Sequence, residues 1–268
     1  EKNAEERAHE HRAHVMADLR GRRVDVSHRD HDAQHRRHDA EAGQHVHEGR
    51  ARFRELEHDR RVVGGREPGE ILAGAILLNE VLRKMPQQCW DDLKSFYVRY
   101  DKSGQRGVAG KESIVMQRHN IDDQEFRALF VHEFGHVLDL GCLQGNPSTG
   151  ASEFKDGNDL MWNDDPSLLF YRISWTSHNV QKESMKPEDF VTGYASCDVF
   201  EDISESLSYY VFQRRAFEKR AQTNAKIAMK LAWIETYVFP GGKTIAEGQH
   251  QWKGEVPWIS TKLAYLWK

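Results

Sequence analysis

The chain has 268 residues, with 38 Lys and Arg, 42 Asp and Glu, and a formal net charge of −4 at pH 7. This length is enough for one large domain or two modest ones. A nucleic-acid-binding protein needs a net basic face, which this charge balance does not provide. No apolar run approaches the roughly 20 residues that cross a bilayer. We therefore expect neither a nucleic-acid partner nor a membrane span.

The first 67 residues are highly charged and contain 15 Lys and Arg, 15 Asp and Glu, and ten His. Large apolar residues are too few there to build a core. Opposite charges at helical spacing, with almost no Gly or Pro, favour helices. We predict a charged, His-rich helical arm and linker over residues 1–67, which contacts another chain or the domain that follows it. Its histidines can bind metal adventitiously, although a solvated helix without a metal role is the simpler interpretation.

The remainder, residues 68–268, is predicted to form one α+β domain. The apolar run Ile71–Leu78 predicts a core helix. Two short strands are predicted after it, at Tyr97–Tyr100 and at Ser113–Gln117. A Gly-containing turn region, Gly104–Gly110, separates the two strands.

The most informative motif of the chain is HEFGH at residues 132–136. Apolar residues recur around it at helical spacing, which predicts a helix that ends near Gly141. Positions i and i+4 share one helix face, so the imidazoles of His132 and His136 can reach one metal ion. Glu133 can point into the same cleft without ligating and take a proton from water. A chance match is the alternative, but ten of the 15 His lie in the arm.

The stretch after this helix is rich in Gly, Asn and aromatic residues. We predict a loop at Gly141–Gly157, a turn at Leu160–Pro166 and a short helix at Ser167–Trp175. The aromatic residues of that short helix either shape specificity pockets or pack in the core. Three cysteines cannot form a closed disulfide framework. A bridge between Cys142 and Cys197 is conceivable, because both flank the proposed site.

A second amphipathic helix is predicted at Asp198–Val211. Glu201 and Glu205 lie on one face of it, at i and i+4. One of them can ligate a metal, and the other can hold a ligand histidine by its free ring nitrogen. A solvated acidic face is the alternative. A basic helical run is then predicted to continue to Tyr237. The tryptophans that follow are expected to pack back on the domain; they are Trp252, Trp258 and Trp267.

Downstream of HEFGH the chain reads Tyr194-x6-Glu201-x3-Glu205. This pattern resembles the peptidase domain of anthrax lethal factor and the related Pro-Pro endopeptidases. These proteins are gluzincins, meaning HExxH zinc peptidases in which a glutamate is the third ligand. An aromatic pair usually follows the ligand glutamate in that family, and Asp202-Ile203 replaces it here.

The resemblance implies a zincin-like fold, a Zn²⁺ cofactor and a role for each matching residue. Tyr194 would donate a hydrogen bond to the oxyanion, Glu133 would be the general base, and Glu205 would be the acid behind a ligand histidine. The implied metal ligands are His132, His136 and Glu201.

We therefore predict a zinc metalloendopeptidase that acts on a protein or peptide substrate. One lobe would hold a small sheet and the HExxH helix, and a mostly helical second lobe would supply Glu201. In zincins a strand just upstream of the HExxH helix pairs with the extended substrate, which implies this role for Ser113–Gln117. Because the resembled proteins are exported, we expect a secreted protein. The alternatives are a catalytically silent zincin-fold binding module and an assembly protein organised by the arm.

Overall fold

The computed structural model describes residues 68–100, 105–250 and 256–268. The predicted arm, residues 1–67, lies outside the described residues. The described part is a mixed α+β structure with small sheets and several helices, as the sequence predicts. None of the described helices has the length and the apolar character needed to cross a membrane.

The first described element, helix α1, spans Pro68–Leu82 and confirms the predicted core helix. It begins at Pro68, a residue that suits the first turn of a helix because it has no N–H to leave unpaired. Its second half buries Leu78 and Val81 in the core. A 3-10 helix, Gln87–Asp92, follows and buries Cys89.

A three-stranded sheet comes next, with strands β1 (Ser95–Arg99), β2 (Gly107–Ala109) and β3 (Ser113–Gln117). The prediction of β3 is confirmed, and β1 begins two residues before the predicted Tyr97. The strand order is β1-β3-β2, with β3 parallel to β1 and antiparallel to β2.

The expected substrate-pairing strand is therefore corrected. Strand β3 lies between two neighbours that already use both of its edges, so it has no edge left for a peptide. Strand β2, which we had predicted as part of a turn, lies at the edge of the sheet.

Helix α2 spans Asp123–Val137 and carries the HEFGH motif. Its N-cap is Asp122, whose side chain accepts the N–H of Glu125 at 2.8 Å. The helix does not end at Gly141, because it continues as a π-helix over Leu138–Cys142. A Cβ at Gly141 would overlap the carbonyl oxygen of Lys111, so the glycine permits a close backbone approach and is not a C-cap.

The predicted loop and turn after α2 are wrong in one respect, because they contain a β-hairpin. Strand β4 (Ala151–Asp156) pairs antiparallel with β5 (Asp159–Trp162), and Gly157 has a φ of 61° at the turn. Helix α3 (Ser167–Ser174) follows and confirms the predicted short helix. Its aromatic cluster is core, because the rings are almost completely buried; they are Phe170, Tyr171 and Trp175.

Helix α4 spans Val199–Ala221. Its N-cap is Asp198, whose Oδ1 accepts the N–H groups of Phe200 and Glu201 at 2.9 and 2.8 Å. The predicted continuous run to Tyr237 is wrong, because Asn224 interrupts it and caps a separate helix. That helix, α5, spans Ala225–Tyr237 and packs against α4.

The remaining elements are two short antiparallel ribbons and several turns of 3-10 helix. The ribbons are β6 (Trp175–Ser177) with β7 (Val180–Gln181), and β8 (Ala246–Glu247) with β9 (Leu266–Trp267). The 3-10 turns that bear on the site are Tyr194–Ser196 and Ser260–Lys262.

The disulfide differs from the pairing we considered. Cys142 is bridged to Cys89, and Cys197 is not part of a disulfide. The 3-10 helix that carries Cys89 packs against the π-helix that carries Cys142. The bridge therefore fastens the end of α2 to the chain segment that precedes the sheet.

Candidate metal centre

Helices α2 and α4 bring two histidines and a glutamate to one point. Nε2 of His132 lies 3.1 Å from Oε2 of Glu201, and Nε2 of His136 lies 3.6 Å from the same oxygen. The three ligand atoms all lie within 4.8 Å of one another. Glu201 is 7% exposed and Glu205 is completely buried, which excludes a solvated acidic face.

The close approach of the two helices depends on a glycine inside the motif. A Cβ at Gly135 would lie 2.8 Å from the Cα of Ser204 on α4, closer than real Cβ contacts come. Any larger residue would push α4 away from α2. Glu201 would then move away from the two histidines.

The other ring nitrogen of each histidine also has a partner on α4. Nδ1 of His132 lies 2.8 Å from Oε1 of Glu205, and Nδ1 of His136 lies 3.1 Å from Oγ of Ser204. Such contacts fix the ring orientation and leave Nε2 for a metal. We did not predict Ser204, although its i+3 position relative to Glu201 was a signal that it shares that face.

The carboxylates change the protonation of the ligands. Burial lowers the pKa of His132, but Glu201 and Glu205 outweigh burial and hold the pKa well above its usual 6.5. Burial raises the pKa of Glu201, but His136 and His132 outweigh it and hold that pKa well below its usual range. Glu201 is therefore ionised, as a metal ligand must be.

The residues fit a metal ion. Oε2 of Glu201 is buried and accepts no hydrogen bond from the described residues, although both Nε2 atoms face it. A buried carboxylate oxygen needs well-aligned partners, and a cation among the three ligand atoms would be one. Two imidazole nitrogens and a carboxylate oxygen are donors that divalent transition metals accept.

Glu133 follows the first histidine and lies beside β2. It is buried, and a Cβ at Gly107 would overlap its carboxylate. The guanidinium of Arg106 is close by and pairs with Glu125. Burial lowers the pKa of Arg106. The negative charges of Glu133 and Glu205 act to raise it, so Arg106 interacts electrostatically with both carboxylates. No pattern in the sequence singles out Gly107 or Arg106.

Tyr194 packs against His132, one of the three residues of the candidate metal centre. Its ring stacks on the ring of His132, with 5.8 Å between centroids and 27° between planes. Burial raises the pKa of Tyr194, and the carboxylates of Glu201 and Glu133 raise it further. The phenol is therefore neutral at physiological pH and can donate a hydrogen bond.

Two of the expected tail tryptophans pack on the domain, and Trp252 lies outside the described residues. Trp267 stacks on Phe212, with 5.9 Å between ring centroids. Trp258 lies next to Tyr194, with 6.1 Å between centroids, yet it remains 62% exposed. The exposed indole of Trp258, beside Tyr194, is therefore accessible to a bound molecule.

Comparisons with models of protein families, with curated proteins and with solved structures find no match to this chain. What the site can do is therefore argued from its own side chains.

Proposed function

We propose that the protein is a zinc-dependent endopeptidase of the gluzincin type, with a zincin-like fold. The observation that carries the proposal is the buried convergence of His132, His136 and Glu201, with Glu133 next in sequence to the first of them. In this proposal the three converging residues are the zinc ligands and Glu133 remains outside the ligand set.

The chemistry divides among the zinc ion and two side chains. When bound, zinc supplies a Lewis acid that acidifies water to a pKa of about 7 and polarises a carbonyl. Glu133 accepts the proton of the attacking water and passes it to the leaving amine. The neutral phenol of Tyr194 donates a hydrogen bond to the oxygen of the scissile carbonyl as negative charge develops there.

The unpaired edge of strand β2 supports a peptide as the substrate. Among the described residues β2 pairs only with β3, and its first residue, Gly107, touches Glu133. An extended peptide that added a strand to the other edge of β2 would lie alongside the proposed base. This placement favours cleavage within a peptide chain.

The disulfide bears on where the enzyme works. Disulfides persist mainly in oxidising compartments, such as the outside of the cell. The Cys89–Cys142 bridge therefore supports the proposal of a secreted peptidase.

The test compares wild type with Glu133→Gln and Tyr194→Phe on a peptide library, at matched zinc occupancy. Glu133→Gln should keep zinc and the fold, yet lose about 10²–10⁴-fold in activity, because the amide cannot accept the proton. Tyr194→Phe should lower kcat with little change in KM, because its hydrogen bond forms mainly in the transition state.

Glu153→Gln is the matched control, since Glu153 pairs with Arg172 and is about half exposed. It should cleave as wild type does. Equal cleavage by Glu133→Gln and wild type would overturn the mechanism. Zinc binding without hydrolysis of any peptide by wild type would favour the silent binding module instead.

A further inference from the structure

Glu205 is buried completely, and four hydrogen bonds meet its carboxylate. Oε1 lies 2.8 Å from Nδ1 of His132 and accepts the hydroxyl of Ser260 at 2.9 Å. Oε2 accepts the hydroxyl of Thr192 at 2.6 Å and the backbone N–H of Ser260 at 2.8 Å. Within the described chain, Ser260 is the residue that donates to both oxygens.

A residue that donates to both oxygens of a carboxylate fixes its orientation as well as its position. The terminal torsion of a glutamate side chain is soft, so the carboxylate plane can rotate when only one oxygen is held. Thr192 donates to Oε2 alone, whereas Ser260 holds both oxygens through two groups of one residue, and the two residues together set the plane. The plane in turn sets the direction in which Oε1 meets Nδ1 of His132, and therefore where Nε2 of that ring points.

The segment that carries Ser260 is itself anchored on both sides of the site. The N–H groups of Gly193 and Tyr194 donate to the carbonyl oxygens of Pro257 and Trp258, each at 2.8 Å. Farther along the segment, the hydroxyl of Tyr265 donates to the carbonyl oxygen of Gln124 in the first turn of α2, at 2.7 Å. Residues 256–268 thus connect the turn that carries Tyr194 with the helix that carries the histidines.

We propose that Ser260 is a positioning residue of the metal centre, which acts through Glu205 on His132. The 256–268 segment is then part of the site, since it aligns a ligand histidine and also holds the backbone of Tyr194. The inference rests on the proposed metal binding but does not require peptide hydrolysis.

The test measures the Kd for Zn²⁺ alone, by competition with a chromophoric chelator, in wild type, Ser260→Ala and Ser260→Thr. The alanine variant keeps the backbone N–H bond to Oε2 but loses the hydroxyl bond to Oε1, the oxygen that meets His132. It should bind zinc about 10-fold more weakly, since losing a group that orients a ligand typically costs this much. The threonine variant retains the hydroxyl and should recover most of the affinity. The visible absorption of the Co²⁺-loaded protein should shift in the alanine variant and return in the threonine variant.

Ser174→Ala is the matched control. Ser174 is also fully buried, and its hydroxyl makes no hydrogen bond with the described residues. It should leave zinc affinity unchanged. Equal zinc affinities in Ser260→Ala, Ser174→Ala and wild type would overturn the proposal.

Two further measurements keep the outcome interpretable. If Ser260→Ala does not fold, Ser260→Cys replaces it, because the thiol is a weaker donor of similar size. In a Glu205→Gln background, Ser260→Ala should cost much less than in wild type, because the two residues act in series. Additive losses would show that Ser260 acts by another route. Absence of zinc binding in wild type would instead refute the proposed function.

Discussion

Two glycines occupy positions beside the candidate site where a Cβ would displace a neighbour. Gly135 lets α4 approach the HEFGH helix, a contact that we did not predict from the sequence. Gly107 lies against the carboxylate of Glu133, 26 residues away in sequence, and no local pattern announces it. The sequence thus indicates the candidate ligands and the proposed base but not the surfaces that keep them in place.

Gly107→Ala should keep zinc and lose activity. The added methyl group must move the Glu133 carboxylate, and a displacement of about 1 Å can cost about 10²-fold in rate. We expect kcat/KM for peptide hydrolysis to fall about 10–100-fold, with zinc content unchanged by mass spectrometry. Gly74→Ala is the control, since a Cβ there meets only the hydroxyl of Tyr100 at 3.7 Å. Unchanged hydrolysis in Gly107→Ala would show that Glu133 is not held by this contact.

At the scale of elements, α4 is unusual because it buries seven polar residues, which are Glu201, Asp202, Ser204, Glu205, Ser206, Ser208 and Gln213. Asp202 and Lys230 are both completely buried and form an ion pair at 2.8 Å that joins α4 to α5. Asp202 also accepts the indole N–H of Trp175 at 3.0 Å. Burial raises the pKa of Asp202 and lowers that of Lys230, so each group needs the charge of the other. Asp202 stands where the resembled family has an aromatic residue.

Lys230→Met should destabilise the domain by about 3–5 kcal/mol, because it leaves the Asp202 carboxylate buried without its cation. The double variant Lys230→Met with Asp202→Asn should recover part of the loss. The amide removes the stranded charge and still offers Trp175 an acceptor. Urea denaturation at pH 7 measures both free energies of unfolding. A change below about 0.5 kcal/mol in Lys230→Met, within the range of ordinary surface substitutions, would mean that the pair contributes nothing net.

The elements differ in how far the sequence predicts them. Strand β3 and helix α1 are predictable because each contains a short apolar run, Ile114–Met116 in the strand and Ile71–Leu78 in the helix. The hairpin β4–β5 was missed because it is largely exposed, so its residues do not alternate clearly, although Asp156-Gly157 is a turn signal. The break before α5 was missed because the charged pattern continues through Asn224, whose side chain caps the new helix at Lys226 and Ile227.

At the scale of the whole molecule, two features connect α2 to other parts of the described chain. They are the candidate metal centre and the disulfide. The candidate metal ligands bring α2 and α4 together, although Glu201 lies 65 positions after His136 in the sequence. The Cys89–Cys142 bridge joins the end of the same helix to the segment before the sheet. The spacing of Glu201 and Tyr194 was readable from the sequence. The partner of Cys142 was not, because it depends on which segments pack together.

Removal of the metal should therefore lower the stability of the whole described domain. Zinc at about 1,000 times its Kd should add about 4 kcal/mol to the free energy of unfolding. Protons compete for His132, whose pKa burial lowers but Glu201 and Glu205 raise well above 6.5. The zinc-dependent gain should thus be smaller at pH 6 than at pH 8. Thermal unfolding with zinc or with a chelator measures it.

His136→Ala is the control for this measurement, because it lacks one ligand and should unfold at the same temperature with zinc and with chelator. Wild type that shows no difference between the two conditions would contradict the metal centre. A gain that grows as the pH falls would contradict the assignment of His132 as a ligand.

The two hydrogen bonds from Ser260 to Glu205 have a consequence for the order in which the chain is made. A ribosome adds residues from the N-terminus onward, so Ser260 is added 59 residues after Glu201. All three converging side chains therefore exist in a nascent chain before the residue that holds both oxygens of Glu205. Until then the carboxylate lacks two of its four hydrogen bonds, and Thr192 and His132 are the remaining partners that hold it. A nascent chain that ends between Glu201 and Ser260 contains the whole HEFGH motif and Glu201 without the complete site.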